Sequence, residues 1–436
     1  MRLISASWVV PVARPPLRDG AVLADGDLIV EVGPAESLVA SHPEAEREHF
    51  YGCIITPGLV NAHTHLALTA LAGVVSARPF AEWLPKLVAA MKPWGIADHE
   101  ASGVVGAEEC LLSGVTVVGD IAYGAAEVAS ASSAGLGGVY YWELLGMAAE
   151  AVPGELAALR YPSDPVAFGP RAIAGLSPHS PYTAGPDLLR AVHAEAARLG
   201  VPFAIHVAES RAELDLLRDG SGPLAGVTSR TVPGFAPPGT TTVQYLADLG
   251  VLEHATAVHA CYATDADIAL LAAKARGVVT CPRSNLYLDN PPPSVTRLLA
   301  SGLATGVGTD SSASNLDLDL MEEVRAVRHA EPDLSAEQLL ALATIGGARA
   351  IGVPDRFGAL MPGMQADLTV FAVDGGNEPL AALLDRAGRR TAHAVMSGGE
   401  WRVRAGELLV RDAAAAARAA DAAARSRAAL AAAGQG

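Results

Sequence analysis

Eight short apolar runs recur through the middle of this chain and alternate with stretches of helical pattern. They are Leu59–Leu66, Gly114–Ile121, Gly137–Leu144, Ala172–His179, Phe203–Glu209, Thr256–Cys261, Gly277–Pro282 and Ala304–Asp310. Pro186–Leu199 stops at Gly200 and Asp265–Arg276 stops at Gly277, while Ser335-Ala-Glu-Gln338 has the spacing of a capping box. Strand followed by helix, eight times over, predicts an α/β fold built on a parallel (β/α)8 TIM-like barrel across residues 57–362. An open, doubly wound sheet shares the alternation, but no G-x-G-x-x-G follows the early strands to mark a dinucleotide site.

Both ends of the chain have a different texture. Leu3–Val12, Ala21–Ala24 and Asp27–Val32 near one end, and Asp367–Val373, His393–Ser397 and Glu400–Val403 near the other, read as strands between Gly and Asp turns. Segments 1–56 and 363–411 are therefore expected to form one small sheet domain with the barrel inserted in it. Residues 412–436 are almost all alanine with scattered Arg and Asp, which predicts a loosely docked helix or a frayed tail without chemistry.

Composition narrows the partners. With 47 acidic against 31 basic residues in 436, the net charge of -16 repels phosphate backbones, so a small-molecule substrate is expected rather than nucleic acid. Cys53, Cys110, Cys261 and Cys281 form no C-x-x-C pair, and the early prolines Pro11, Pro15 and Pro16 break any signal-like run. No run approaches the ~20 apolar residues of a membrane span. A cytoplasmic protein with no membrane partner is expected.

Chemistry gathers at the ends of the barrel runs. On a strand, residues two apart share a face, so His63 and His65 converge. His206 and Glu209 end the fifth run, His259 lies near the end of the sixth, and Asp310 ends the eighth. Singly, His259 reads equally as a core histidine and Asp310 as a helix cap. Jointly, all fall at the same end of their strands, which in a barrel is a single ring, and three imidazoles with a carboxylate make a seat for one divalent metal. That donor set suits zinc best and iron also.

PGLVNAHTHL (57–66), SPHSPYT (177–183), HVAES (206–210), VHA (258–260), CPRSN (281–285) and GTDS (308–311) together resemble the amidohydrolase superfamily, in its deaminase and chlorohydrolase branch. The resemblance covers nearly the whole chain, including a small β-sandwich built from both ends. It implies His63, His65, His206 and Asp310 as metal ligands, Glu209 as proton shuttle, His259 as the residue that steadies the attacking water or the substrate, and His179 as a substrate contact. Two-metal members bridge their ions from the end of the fourth strand with a modified lysine, Glu or Cys. Here that strand ends Leu176-Ser-Pro-His179, and the only lysines, Lys86, Lys92 and Lys274, lie in helical patterns. A single metal is implied, as is a possible homodimer.

A divalent metal makes water nucleophilic near neutral pH, and a Glu three residues beyond the metal-binding histidine suits protonation of an aromatic ring nitrogen during deamination. The expected activity is hydrolytic deamination of an adenine nucleoside. The resemblance is strongest to the 6-aminodeoxyfutalosine deaminases of menaquinone biosynthesis, which release futalosine and ammonia. Methylthioadenosine and S-adenosylhomocysteine deaminases share the core but carry a ribose-binding Glu after the first strand, near where Lys92 stands here. Other aminohydrolases, dechlorinating or amide-cleaving enzymes of other heterocycles, and an inactive metal-binding scaffold are the alternatives. Further substrate contacts are expected from Arg283, set between a bidentate carboxylate contact and an ordinary salt bridge, from Trp83 as rim packing or a stacking platform, and from Asn285 and Ser311. Lys92 reads as a solvated helix residue.

Overall fold

The computed structural model describes residues 1–434 apart from 77, 147, 159 and 165. The barrel strands, numbered here one to eight, are Leu59–Thr64, Val115–Ala122, Gly137–Leu144, Ala172–Pro178, Phe203–Val207, Ala255–His259, Gly277–Thr280 and Ala304–Val307. Each pairs in parallel with the next, in chain order. Strands one to three and five to seven are buried at every position, as expected where both faces of a parallel sheet are covered.

The ring closes at the end of strand eight. Asp310 N donates to His63 O at 3.0 Å, and Thr64 and Asp310 form a parallel bridge. Gly308 makes this approach possible, because a Cβ there would lie 2.5 Å from His63 O. Inside, Val60, Ala62, Val117, Val139, Tyr141, Ala204 and Val279, from five strands, pack with Ala348, Ile351 and Phe357.

The chain ends hydrogen-bond into one eight-stranded sheet. Its order is Glu407–Leu408, Glu400–Arg404, Ala392–Ser397, Leu368–Phe371, Glu46–Pro57, Arg2–Val9, Leu17–Asp25 and Leu28–Pro34. Glu46–Pro57, absent from the sequence expectation, joins the two halves: it runs parallel to Arg2–Val9 and antiparallel to Leu368–Phe371. Its last residue leads directly into strand one, so the sheet sets where the His-x-His segment enters the barrel.

The alanine-rich tail is firmly docked, contrary to the loose helix expected. Helix Ala413–Ala432 buries Ala415, Ala419, Ala422, Ala423, Ser426 and Leu430. Ser426 Oγ donates to Ala90 O at 2.7 Å, Trp94 Nε1 donates to Ser426 Oγ at 2.8 Å, and Arg418 and Arg425 both pair with buried Asp98. Residues 435 and 436 of the tail lie outside the described residues. All four cysteines are buried free thiols, and no described helix is long and apolar enough to cross a membrane.

Candidate active site

The strand ends place His63, His65, His206, His259, Glu209 and Asp310 in one buried cluster. The imidazole rings of His65, His206 and His259 lie 5.0 to 5.6 Å from a neighbouring ring in this group. One nitrogen from each of His63, His65 and His206 falls within 4.8 Å of the others. Asp310 Oδ1 is 3.6 Å from His63 Nε2 and 3.5 Å from His65 Nε2. His259 and Asp310 reach these positions with left-handed backbone, φ 73° and 57°. Such turns cost about 1–3 kcal/mol each, and residues holding them concentrate at functional sites.

Outer contacts fix how each group faces the centre. Asp310 Oδ2 accepts from Ser284 Oγ at 2.6 Å and Ser314 Oγ at 3.0 Å, which leaves Oδ1 for the imidazoles. His206 Nδ1 donates to His179 O at 2.7 Å, so its Nε2 presents a lone pair. His259 Nδ1 donates to Asn285 Oδ1 at 3.0 Å, and its Nε2 faces Glu209 Oε1 at 3.8 Å. Glu213 accepts from Ala208 N and Glu209 N, each at 2.8 Å, and so holds the loop that carries Glu209.

Electrostatics follow from burial. Burial and the neighbouring His63 push His65 down to about 3. Burial takes His259 to about 4, and burial with the nearby His259 takes His179 to about 4. These rings are therefore neutral lone-pair donors. Burial and the charge of Asp310 raise Glu209 well above the usual carboxylate range. Asp310 goes the other way: burial alone would raise it, but the surrounding histidines hold it well below. The same buried site thus pushes two neighbouring carboxyls in opposite directions.

A divalent cation fits this set. His63 Nε2, which faces Asp310 Oδ1, is buried with no hydrogen-bond partner among the described residues, a costly arrangement in an apolar interior unless another group satisfies the lone pair. A cation held by the three imidazoles and the Asp310 carboxylate meets that need.

The cluster forms the floor of a cavity of about 640 Å³. Its walls are apolar, with Leu68, Phe80, Trp83, Leu87 and Tyr182 among them. His179 and Ser311 also line it, His179 with Nδ1 2.7 Å from Thr183 Oγ1. Trp83 lines the wall while its indole Nε1 donates to Ala313 O at 3.2 Å. Of the two residues of CPRSN weighed as substrate contacts, Arg283 takes its salt-bridge alternative and neither lines the cavity. Arg283 faces away from the cavity, its guanidinium 2.8 Å from Asp317 and 3.6 Å from Glu323. Asn285 gives its Oδ1 to His259, while its buried Nδ2 has no partner among the described residues and it does not line the cavity. Sequence reasoning passed over Glu143 and Arg230, which line the cavity; Lys92 is exposed, as read from the sequence, and stands at the cavity's edge. Glu143 is the penultimate residue of the apolar third strand, at the same end as the ligands, the signal that would have found it.

A family model described as the amidohydrolase family matches residues 54–402. The chain belongs to that family. A shorter match, residues 20–45, is to a bacterial imidazolonepropionase-like composite domain. This amidohydrolase is 33% identical over 386 residues to a 5-methylthioadenosine/S-adenosylhomocysteine deaminase of Pelotomaculum thermopropionicum, covering 84% of this chain and 83% of the relative. It is 36% identical over 348 residues to an aminodeoxyfutalosine deaminase of Deinococcus radiodurans, covering 76% and 81%. Among solved structures it is similar to a zinc-bound adenosine deaminase from Xanthomonas campestris, with TM-score 0.82, 28% identity and 98% of each chain covered. The amidohydrolase is an enzyme, a hydrolase acting on carbon–nitrogen bonds.

Proposed function

We propose that this amidohydrolase is a metal-dependent hydrolytic deaminase of an adenine nucleoside bearing a carboxylate, with 6-aminodeoxyfutalosine as the substrate and futalosine and ammonia as products. The observation that carries the reading is the gathering of His63, His65 and His206 with Asp310 Oδ1 3.6 and 3.5 Å from the first two, and of Glu209 Oε1 3.8 Å from His259 Nε2, at the base of one apolar-walled cavity. His63, His65, His206 and Asp310 hold one divalent ion, zinc in the first instance. That ion supplies Lewis acidity, making water nucleophilic near neutral pH.

The chain's own groups do the rest. Asp310 Oδ1, the oxygen that Ser284 and Ser314 leave free, takes a proton from the attacking water. His259 Nε2 is available to steady that water because Nδ1 is tied to Asn285. Glu209 delivers its proton to the ring nitrogen next to the carbon under attack, so no negative charge accumulates on the purine. The new carbon–oxygen bond forms, the carbon–nitrogen bond to the amino group breaks, the departing amine takes the proton Asp310 accepted and leaves as ammonia, and the proton left on the new hydroxyl returns to Glu209 as the carbonyl forms. Apolar walls keep bulk water away from the transfer.

Lys92 and Arg230 support a carboxylate on the substrate. They line the cavity, and no carboxylate of the described residues pairs with either, in a chain whose acids outnumber its bases. The second reading is a methylthioadenosine/S-adenosylhomocysteine deaminase, favoured by relatives such as the one from Pelotomaculum thermopropionicum. Ammonia release by the zinc-loaded enzyme, followed in parallel on 6-aminodeoxyfutalosine, S-adenosylhomocysteine, methylthioadenosine and adenosine, separates the two. The proposal expects the highest kcat/KM on 6-aminodeoxyfutalosine. Turnover of chlorinated triazines or cyclic amides, with none of the nucleosides deaminated, overturns it.

A further inference from the structure

Helix Phe80–Met91 supplies more of the cavity lining than any other element among the described residues, yet it is poorly able to hold itself. Its twelve residues are at the edge of what stands alone as a helix in water. Pro85, in its interior, cannot donate the backbone bond a helix needs there. With much of its surface given to the cavity, its position depends on what packs behind it. The C-terminal helix Ala413–Ala432 packs there. Ser426, fully buried, accepts from Trp94 Nε1 at 2.8 Å and donates to Ala90 O at 2.7 Å. Ala90 lies in the last turn of the wall helix, where carbonyls have no donor within the helix. Leu430, also buried, shares one apolar cluster with Phe80, Trp83 and Leu87.

We propose that the C-terminal helix holds the substrate-facing wall of the active site, with Ser426 and Leu430 as positioning residues that set where helix Phe80–Met91 stands. Lys92, two residues beyond Ala90, is carried with it. The metal ligands and their neighbours are held independently, on strand ends tied by Ser284, Ser314, the His179 carbonyl and Asn285. A displaced wall therefore weakens substrate binding while the ion and the chemical step stay as they are. The other end of the tail does not isolate this effect, because Ala415 and Ala419 pack with Ala70, close after His65. Single substitutions at 426 and 430 do. The inference rests on the deaminase reading and adds what keeps its binding wall in place.

The test uses full-length, zinc-loaded wild type, Ser426→Ala, Leu430→Ala, Leu430→Met and Arg418→Met. Zinc content and Tm are measured for each, and kcat and KM are measured separately on 6-aminodeoxyfutalosine and adenosine well below Tm. Ser426→Ala leaves Trp94 Nε1 its second acceptor, Ala422 O at 3.2 Å, so the loss is confined to Ala90. KM is expected to rise about three- to tenfold in Ser426→Ala and Leu430→Ala, the reach of one net hydrogen bond, with kcat and zinc content within about twofold of wild type. Leu430→Met, which keeps the volume, restores KM. Arg418→Met, which loosens the tail from Asp98 and touches no part of the wall, lowers Tm and leaves KM unchanged. An unmoved KM in Ser426→Ala and Leu430→Ala, with amides of Phe80–Met91 exchanging faster, makes the tail a structural support alone and overturns the inference with the deaminase reading intact. A fall in kcat or zinc content that matches the change in KM also overturns it, since the effect then lies at the metal centre, and so does an equal rise of KM in Arg418→Met. If wild type releases ammonia from neither nucleoside, nor from S-adenosylhomocysteine or methylthioadenosine, the deaminase reading falls and takes the inference with it.

Discussion

Two buried polar clusters in this molecule are built from similar parts and differ in one respect. At the junction of barrel and sheet, Arg171 Nη1 meets Asp367 Oδ1 at 2.6 Å and Gln365 Oε1 at 3.0 Å. Its Nη2 meets Asp367 Oδ2 at 2.9 Å and Ser397 Oγ at 2.7 Å, while Gly398 N adds a further bond to Asp367. Both ends of that pair are fully used. At the strand C-termini, His63, His65 and Glu143 each keep a buried atom with no partner. The first cluster closes on itself, whereas the unpartnered atoms of the second lie around the place where an ion and a substrate would sit.

Exchanging one residue in each cluster breaks or sharpens the contrast. The largest effect is expected at Glu209: Glu209→Gln retains zinc and fold but loses about 10²–10⁴ in kcat, the usual contribution of a positioned acid–base group. Metal analysis with ammonia release checks it, and wild-type turnover in zinc-replete Glu209→Gln protein removes the proton shuttle from the proposal. Next in size is Arg171→Met. It strands Asp367 and destabilises the fold by about 3 kcal/mol, the low end for breaking a buried pair because 16% of the Arg171 side chain is exposed. Denaturant unfolding measures this, and specific activity of the folded fraction stays unchanged. Ser284→Ala follows, freeing Asp310 Oδ2 and weakening zinc affinity about ten- to a hundredfold. Chelator competition reads that change, and unaltered affinity means that Ser314 alone orients the aspartate.

The barrel was legible because parallel strands covered on both faces read as unbroken apolar runs, and because the ligands end those runs. The strand Glu46–Pro57 was hidden for the opposite reason. Only Phe50 and Cys53–Pro57 of it are buried, and its opening charges with Gly52 look like a loop. The tail was misjudged because alanines carry no pattern. What seats them is Ser426, Arg418 and Arg425 against Trp94, Ala90 and Asp98, more than 300 residues away in sequence. Leu430 thereby joins the cluster of Phe80, Trp83 and Leu87, whose side chains wall the cavity. Asn285 and Arg283 were read as substrate contacts because both sit in CPRSN, and only the fold reveals that His259 claims one and Asp317 with Glu323 the other.

Arg283 supplies the smallest and most discriminating test of the contrast. By its partners it belongs with the satisfied cluster, although its sequence neighbours belong with the catalytic one. Arg283→Ala is therefore expected to leave KM for a carboxylate-bearing nucleoside within about twofold while destabilising the fold, since it takes a charged partner from the fully buried Glu323. Lys92→Ala and Arg230→Ala should do the reverse: stability unmoved, and KM raised about two- to fivefold on 6-aminodeoxyfutalosine but not on adenosine, as fits cations that stay solvated and lose a contact worth under about 1 kcal/mol. If Arg283→Ala raises KM on the carboxylate substrate alone, its ion pair must open when substrate binds, and hydrogen-bond satisfaction ceases to separate structural from functional residues in this protein.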